Sequence, residues 1–108
     1  MKEANVQQPW FNYICARVKT VEGRLNRGSW KNLVEGETVI FSNEDDKIES
    51  TIKRILLFED FGKAYDYYGD KLIPNSTRED VISIYNQFYS NQDIQTYGVI
   101  CIELLLTI

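Results

Sequence analysis

Histidine is absent from this sequence of 108 residues, which contains only two cysteines and two prolines. The absence of histidine excludes a Ser-His-Asp triad, a Cys-His pair and any zinc site that uses imidazole. Cys15 and Cys101 are too few for a four-thiolate metal site or for a framework of disulfides. We therefore expect no metal site and no bound cofactor.

Long apolar runs are also missing. No stretch approaches the roughly 18 apolar residues of a membrane-spanning helix. The first eight residues lack the apolar core of a signal peptide. We therefore expect a cytoplasmic protein without a membrane partner, whose two cysteines remain thiols. The length fits a single domain, which we place at 1–108.

The charges are unevenly distributed along the chain. Residues 1–35 carry six basic and three acidic side chains, whereas the remainder carries six basic and 13 acidic ones. A basic segment from Arg17 to Lys31 therefore accompanies an acidic body, and the local sign of charge decides which ligands approach it. The alternative is a basic strand edge that is merely solvated.

Apolar periodicity predicts the order helix, strand, strand, strand, helix, helix, strand. The predicted elements are a short helix after Pro9, strands over 19–26, 38–42 and 47–58, a helix over 59–68, a helix after a capping box at Ser76 and Glu79, and a final strand over 96–108. Tyr85, Phe88 and Tyr89 fall on one helical face and are expected in the core. The predicted class is α+β, with a sheet that curls into a small barrel.

Three charged residues of the first predicted strand form the most informative pattern. Glu22 and Arg24 are two positions apart and share one face of a strand. Lys19 is an odd number of positions away and would point to the opposite face if the strand included it. Lys19 can therefore join them only if the chain bends just before the strand. Such a group can offer positive charge to a phosphate or an oxyanion. An exposed strand with incidental alternating charges is the other reading of the same pattern.

The wider pattern resembles a known family. The segments that carry the resemblance are KTVEGRLN at 19–26, WK at 30–31, GETVIF at 36–41, LIP at 72–74 and YGVICIE at 97–103. Together they are similar to the ASCH domain of the PUA-like superfamily, from about Phe11 to Leu105. The resemblance implies a small PUA-like β-barrel with flanking helices and a basic cleft around Lys19, Glu22 and Arg24.

The resemblance further implies that this cleft binds single-stranded RNA, a nucleotide or a nucleoside. Lys19 and Arg24 would contact phosphate. Independently of the resemblance, Tyr68 is our preferred aromatic surface for a base, because it lies beside a glycine turn after a short predicted helix. The expected nucleic-acid-binding residues are Arg17, Lys19, Glu22, Arg24, Asn26, Arg27, Lys31 and Tyr68.

Two other functions remain open. Some relatives are ribonucleases, and others are amidohydrolases that act on acetylated cytidine with a lysine and a threonine three residues later. Here Lys19 is present and Glu22 occupies the threonine position. In a hydrolase Lys19 would be the catalytic base and Glu22 the second proton carrier, with a divalent metal only in the case of a nuclease. The last possibility is a non-catalytic module that binds a protein.

Overall fold

The computed structural model describes residues 1–107, which form five strands and four α-helices. The strands are β1 Lys2–Asn5, β2 Val21–Leu25, β3 Thr38–Asn43, β4 Asp46–Phe58 and β5 Val99–Leu106. The helices are α1 Trp10–Cys15, α2 Phe61–Tyr68, α3 Arg78–Asn86 and α4 Asn91–Tyr97, with short 3-10 turns at Gly28–Asn32 and Gly69–Lys71. Among these residues, no helix has the length and apolar character needed to cross a membrane.

The five strands form one sheet in the order β1-β3-β4-β5-β2. β1 runs parallel to β3, and the other three pairings are antiparallel. The sheet curls into a half-barrel with helices packed on it, so the predicted α+β, PUA-like barrel architecture is confirmed. β2 and β1 are the two edge strands of the sheet.

Each face of the sheet carries its own apolar core. One core packs β2 and β5 against α2 and α3, and Phe61, Val81 and Cys101 are among its buried members. The other core lies under α1 and includes Ile14, Phe41 and Ile102. β5 contributes to both cores, because its alternate residues point to opposite faces. This explains its nearly continuous apolar sequence.

Two elements were absent from the sequence prediction. β1 contains a single apolar residue in four, Ala4, so it carries no apolar alternation to detect. α4 is capped at its N-terminus by Ser90, whose hydroxyl accepts a hydrogen bond from the amide of Asp93. The final strand was predicted to start at Thr96, which is wrong because Thr96 lies in α4 and β5 starts at Val99. The predicted end of this strand, Ile108, lies outside the described residues.

The capping box of α3 is displaced by one residue from its predicted position. Thr77, not Ser76, accepts from the amide of Asp80, and the carboxylate of Asp80 accepts from the amide of Thr77. The hydroxyl of Ser76 instead donates to the carbonyl of Pro74. The sequence offers two overlapping Ser/Thr-x-x-acid patterns, and the helix begins at the second.

Candidate functional site

A cleft opens along one edge of the sheet, between β2, α1 and α3. Its volume is about 150 Å³. In the part of the chain that the structure describes, β2 is paired on one side by β5, and its other side borders this cleft. The residues that line it are Asn5, Val6, Gln7, Trp10, Lys19, Glu22, Gly23, Arg24, Ile73, Ile84, Tyr85, Phe88 and Tyr89.

Glu22 lies between two cations at one wall of the cleft. Its Oε1 is 3.4 Å from Nζ of Lys19, and its Oε2 is 3.0 Å from Nη2 of Arg24. Burial alone would raise the pKa of the Glu22 carboxyl, but the charges of Lys19 and Arg24 outweigh burial and hold the pKa below its usual value. Lys19 lies two residues before the first residue of β2, outside the alternation of the strand, and from there its side chain reaches Glu22 as the charge pattern required.

Lys19 directs its ammonium group at protein acceptors. Nζ donates to the carbonyl of Val21 at 2.7 Å and to the carbonyl of Leu72, and it lies beside the Glu22 carboxylate. Within residues 1–107 the ammonium group therefore makes two hydrogen bonds to backbone carbonyls and one ion pair with Glu22. Burial lowers the pKa of Lys19, opposed by the Glu22 charge. Lys19 thus links the start of β2, at Val21, to the segment at Leu72 by hydrogen bonds.

Arg24 is oriented on three sides by protein groups. Nε and Nη2 donate to Glu22, and Nη2 also donates to the carbonyl of Asn5 at 2.8 Å. The guanidinium lies over the ring of Trp30, 4.7 Å from its centre. Among the described residues, Nη1 of Arg24 makes no hydrogen bond. Arg24 thus lines the cleft with one guanidinium nitrogen that has no hydrogen-bond partner in the described part of the chain.

Aromatic side chains form the opposite walls. Trp10 of α1 and Phe88 meet edge to face, with ring centres 6.0 Å apart. Tyr85 stacks on Phe61 in the core behind it, at 3.7 Å. Burial is the main reason that the pKa of Tyr85 is well above its usual value, so its hydroxyl stays neutral and can donate or accept.

Gly23 allows this wall to approach β2 closely. A Cβ at position 23 would lie 3.1 Å from the Tyr85 hydroxyl oxygen and 3.2 Å from a methyl group of Leu72. Both contacts are tighter than ordinary van der Waals packing, so a side chain here would push the neighbours away. The missing side chain of Gly23 thus sets the shape of the cleft floor.

The structure brings together three of the eight predicted site residues. Lys19, Glu22 and Arg24 line the cleft. Arg27 instead lies near α4, where it pairs with Asp93 at 3.5 Å and faces the Tyr97 ring. The other predicted residues that do not line the cleft are Arg17, Asn26, Lys31 and Tyr68.

Tyr68 was predicted to be the aromatic residue of the cleft, and this placement is wrong. Its hydroxyl donates to Glu103 at 2.8 Å, and its ring lines a different groove. Tyr68 is the last residue of α2, and α2 packs on the sheet face away from α1. The glycine turn beside Tyr68 did not indicate which of the two concave sites its ring lines.

Three aromatic residues that line the cleft, Tyr85, Phe88 and Tyr89, were missed because the sequence prediction placed them in the core. α3 ends at Asn86, so Phe88 and Tyr89 lie beyond the helix. Their burial therefore cannot be predicted from the apolar face of that helix. Phe88 is 44% exposed, and the prediction that it is a core residue is wrong. Tyr85 is buried as predicted, and it lines the cleft as well.

Comparison with known proteins places the chain in a family. The ASCH domain model matches residues 5–107. The chain therefore belongs to the ASCH domain family. No functionally curated protein matches it.

Solved structures share the fold of this chain. The crystal structure of the hypothetical protein PH0355 superposes with a TM-score of 0.91 at 26% identity, covering 99% of this chain and 100% of that one. The solution NMR structure of PF0455 from Pyrococcus furiosus gives 0.80 at 25% identity, covering 98% and 97%. The crystal structure of ASCH from Zymomonas mobilis gives 0.65 at 14% identity, covering 96% and 66%, a likeness of fold alone.

Proposed function

We propose that the cleft between β2, α1 and α3 binds single-stranded RNA or a nucleotide by taking up one base. The observation that carries this proposal is the pairing of aromatic walls with a single oriented arginine. Trp10, Phe88 and Tyr85 offer flat apolar surface, on which an unstacked base is held. Arg24 offers Nη1 to an acceptor on the base or to a phosphate.

The size of the cleft favours one base over a larger ligand. Its volume of about 150 Å³ is smaller than the pockets of roughly 300 Å³ or more that enclose drug-sized ligands. A single base with part of its sugar is a ligand of the right scale. The rest of a strand or the phosphate of a nucleotide then lies outside, near the rim.

Lys19 and Glu22 have positioning roles in this proposal. Glu22 holds two nitrogens of Arg24, so the guanidinium needs no reorganisation when a ligand binds. Lys19 supports Glu22 and ties β2 to Leu72. The phosphate contact therefore falls to Arg24, since Lys19 is buried and its ammonium group faces two backbone carbonyls and the Glu22 carboxylate.

The test is the affinity for a labelled single-stranded RNA, measured by fluorescence anisotropy. Phe88→Ala is compared with Tyr97→Ala, because the two aromatic side chains are 44% and 43% exposed and only Phe88 lines the cleft. Loss of one stacking surface is worth about 1–3 kcal/mol, so Phe88→Ala is expected to weaken binding roughly fivefold to a hundredfold. Tyr97→Ala is expected to bind as wild type, and equal affinities for the two variants would contradict the proposal.

One observation supports a hydrolase as the second candidate function. Lys19 and Glu22 adjoin in the cleft, and burial lowers the pKa of Lys19, as a general base requires. The wild-type protein is incubated with single-stranded RNA, with and without Mg²⁺, and with acetylated cytidine. Shortened RNA or released acetate supports this candidate, and intact substrates after prolonged incubation exclude it for these substrates.

A further inference from the structure

A second concave site lies apart from the cleft. It is a groove of about 540 Å³ between β2, β4, β5 and the end of α2, and no residue lines both it and the cleft. The residues that line this groove are Thr20, Val21, Lys53, Arg54, Tyr67, Tyr68, Lys71, Glu103, Leu104 and Leu105. The proposed function leaves it without a role.

A bulge in β4 places two consecutive cations in this groove. In the register with β5, Ile52 is opposite Leu104 and Arg54 is opposite Glu103, so Lys53 is an extra residue in the strand. Neighbours in a regular strand point to opposite faces, whereas Lys53 and Arg54 both line the groove. Bulges of this kind redirect side chains next to functional sites.

Arg54 is held in one orientation by hydrogen bonds to Glu103 and Tyr67. Its Nε donates to Glu103 at 2.8 Å, and its Nη2 donates to the hydroxyl of Tyr67 at 3.1 Å. Tyr68 donates to the same carboxylate oxygen from the other side. Burial would raise the pKa of Glu103, but Arg54 and Tyr68 outweigh it and keep the carboxyl ionised. The arginine is thus preorganised, as it is at sites for phosphate groups.

Two lysines add charge that has no counter-ion in the structure. Within residues 1–107, neither Lys53 nor Lys71 forms an ion pair, whereas Lys47 and Lys63 pair with Glu3 and Glu59. Glu103 offsets only one of the three cations that line the groove. The groove is therefore positive in a protein whose net charge is −4.

We propose that this groove is a second binding site, for phosphate groups, in which Arg54 is the anchor and Lys53 and Lys71 are the flanking cations. The exposed ring of Tyr67 and the side chain of Leu105 give it an apolar rim. Phosphates of a nucleic-acid strand and of a small phosphorylated compound share this chemistry. The site does not depend on ligand binding in the cleft.

The test follows backbone amide shifts by NMR in ¹⁵N-labelled protein. Inorganic pyrophosphate and a short single-stranded RNA are titrated separately. The groove variant Lys53→Gln/Lys71→Gln is compared with Lys47→Gln/Lys63→Gln, which removes the same charge from lysines outside the groove. The amides of Arg54 and Leu105 report the groove, and the amide of Gly23 reports the cleft independently.

Saturable shifts at Arg54 and Leu105 are expected, with affinity about tenfold weaker in the groove variant, on the scale of two lost surface charge contacts. The control variant is expected to retain wild-type affinity. Shifts with pyrophosphate alone identify a small phosphorylated ligand, and shifts with RNA alone identify strand phosphates. No shift in the groove with either probe, or equal weakening in both variants, would overturn the proposal.

Discussion

Glu22 organises the candidate site at the scale of single residues. It is only 6% exposed, and a buried carboxylate needs partners to remain charged. Lys19 and Arg24 supply them, and each is also fixed by backbone carbonyls, of Leu72 and Asn5 respectively. The charge pattern allowed these three side chains to meet if the chain bent before the strand, and the family resemblance implied that they line one cleft. The sequence did not predict that Lys19 is enclosed, because its acceptor on Leu72 is 53 positions away.

Replacing Glu22 by glutamine is expected to destabilise the fold strongly. The variant leaves Lys19 buried without its counter-charge, and breaking a buried ion pair typically costs about 3–5 kcal/mol. The free energy of unfolding from urea titration measures the loss. Glu59→Gln is the control, because Glu59 and Lys63 form an exposed ion pair, and such pairs contribute little to stability. Similar losses in both variants would show that burial of the pair is unimportant.

The same residue predicts a response to acid. The pKa of Glu22 is lowered in the folded protein, so the unfolded chain takes up the proton at a higher pH. Its stabilising contribution is complete above the unfolded pKa of about 4.3 and is lost as the pH falls through the lower folded pKa. The free energy of unfolding, measured from pH 7 to pH 3, is expected to fall less steeply for Glu22→Gln than for wild type. If the free energy of unfolding had the same pH dependence in both proteins, the lowered pKa of Glu22 would be contradicted.

Gly23 is expected to tolerate no side chain. The Cβ of Gly23→Ala would press on Tyr85 and Leu72, and overpacking of this kind costs about 1–3 kcal/mol. Thermal unfolding measures the stability, and RNA anisotropy measures the change in the cleft floor. Wild-type stability together with wild-type affinity would show that the Tyr85 wall moves freely.

At the scale of elements, the sequence predicted the strands and helices that have strong local signals and missed those that do not. The hairpin of β3 and β4 and the helix α2 were predicted from alternation, a polar loop and a glycine stop. β1 is held by its parallel pairing with β3, a long-range interaction that four mostly polar residues do not encode locally. The bulge at Lys53 could not be predicted for the same reason, because it is defined by the long-range pairing of β4 with β5.

The start of α3 gives a test at this scale. Thr77→Ala removes the side-chain acceptor of the capping box and is expected to cost about 1 kcal/mol. Ser76→Ala is the matched control, since among residues 1–107 the hydroxyl of Ser76 makes one hydrogen bond, to the carbonyl of Pro74. Urea unfolding of the two variants distinguishes them. A larger loss for Ser76→Ala would place the cap one residue earlier.

At the scale of the whole molecule, the half-barrel separates two concave sites that differ in chemistry. The cleft at the β2 edge is aromatic with one oriented arginine, and the groove over the β4 bulge is open and cationic. The overall charge asymmetry of the sequence indicated a basic surface in the first 35 residues. It missed the groove, because Lys53, Arg54 and Lys71 come from the acidic part of the chain.

The central claim is that a base enters the cleft beside Trp10, and tryptophan emission tests it most directly. The chain has two tryptophans, so Trp30→Phe leaves Trp10 as the only one and keeps an aromatic ring for Arg24 to stack on. Titration of this variant with the RNA used for anisotropy is expected to quench Trp10 saturably, at the same midpoint, because a stacked base contacts the indole. Unchanged Trp10 emission at RNA concentrations that saturate the anisotropy would show that RNA binds elsewhere and would contradict the account.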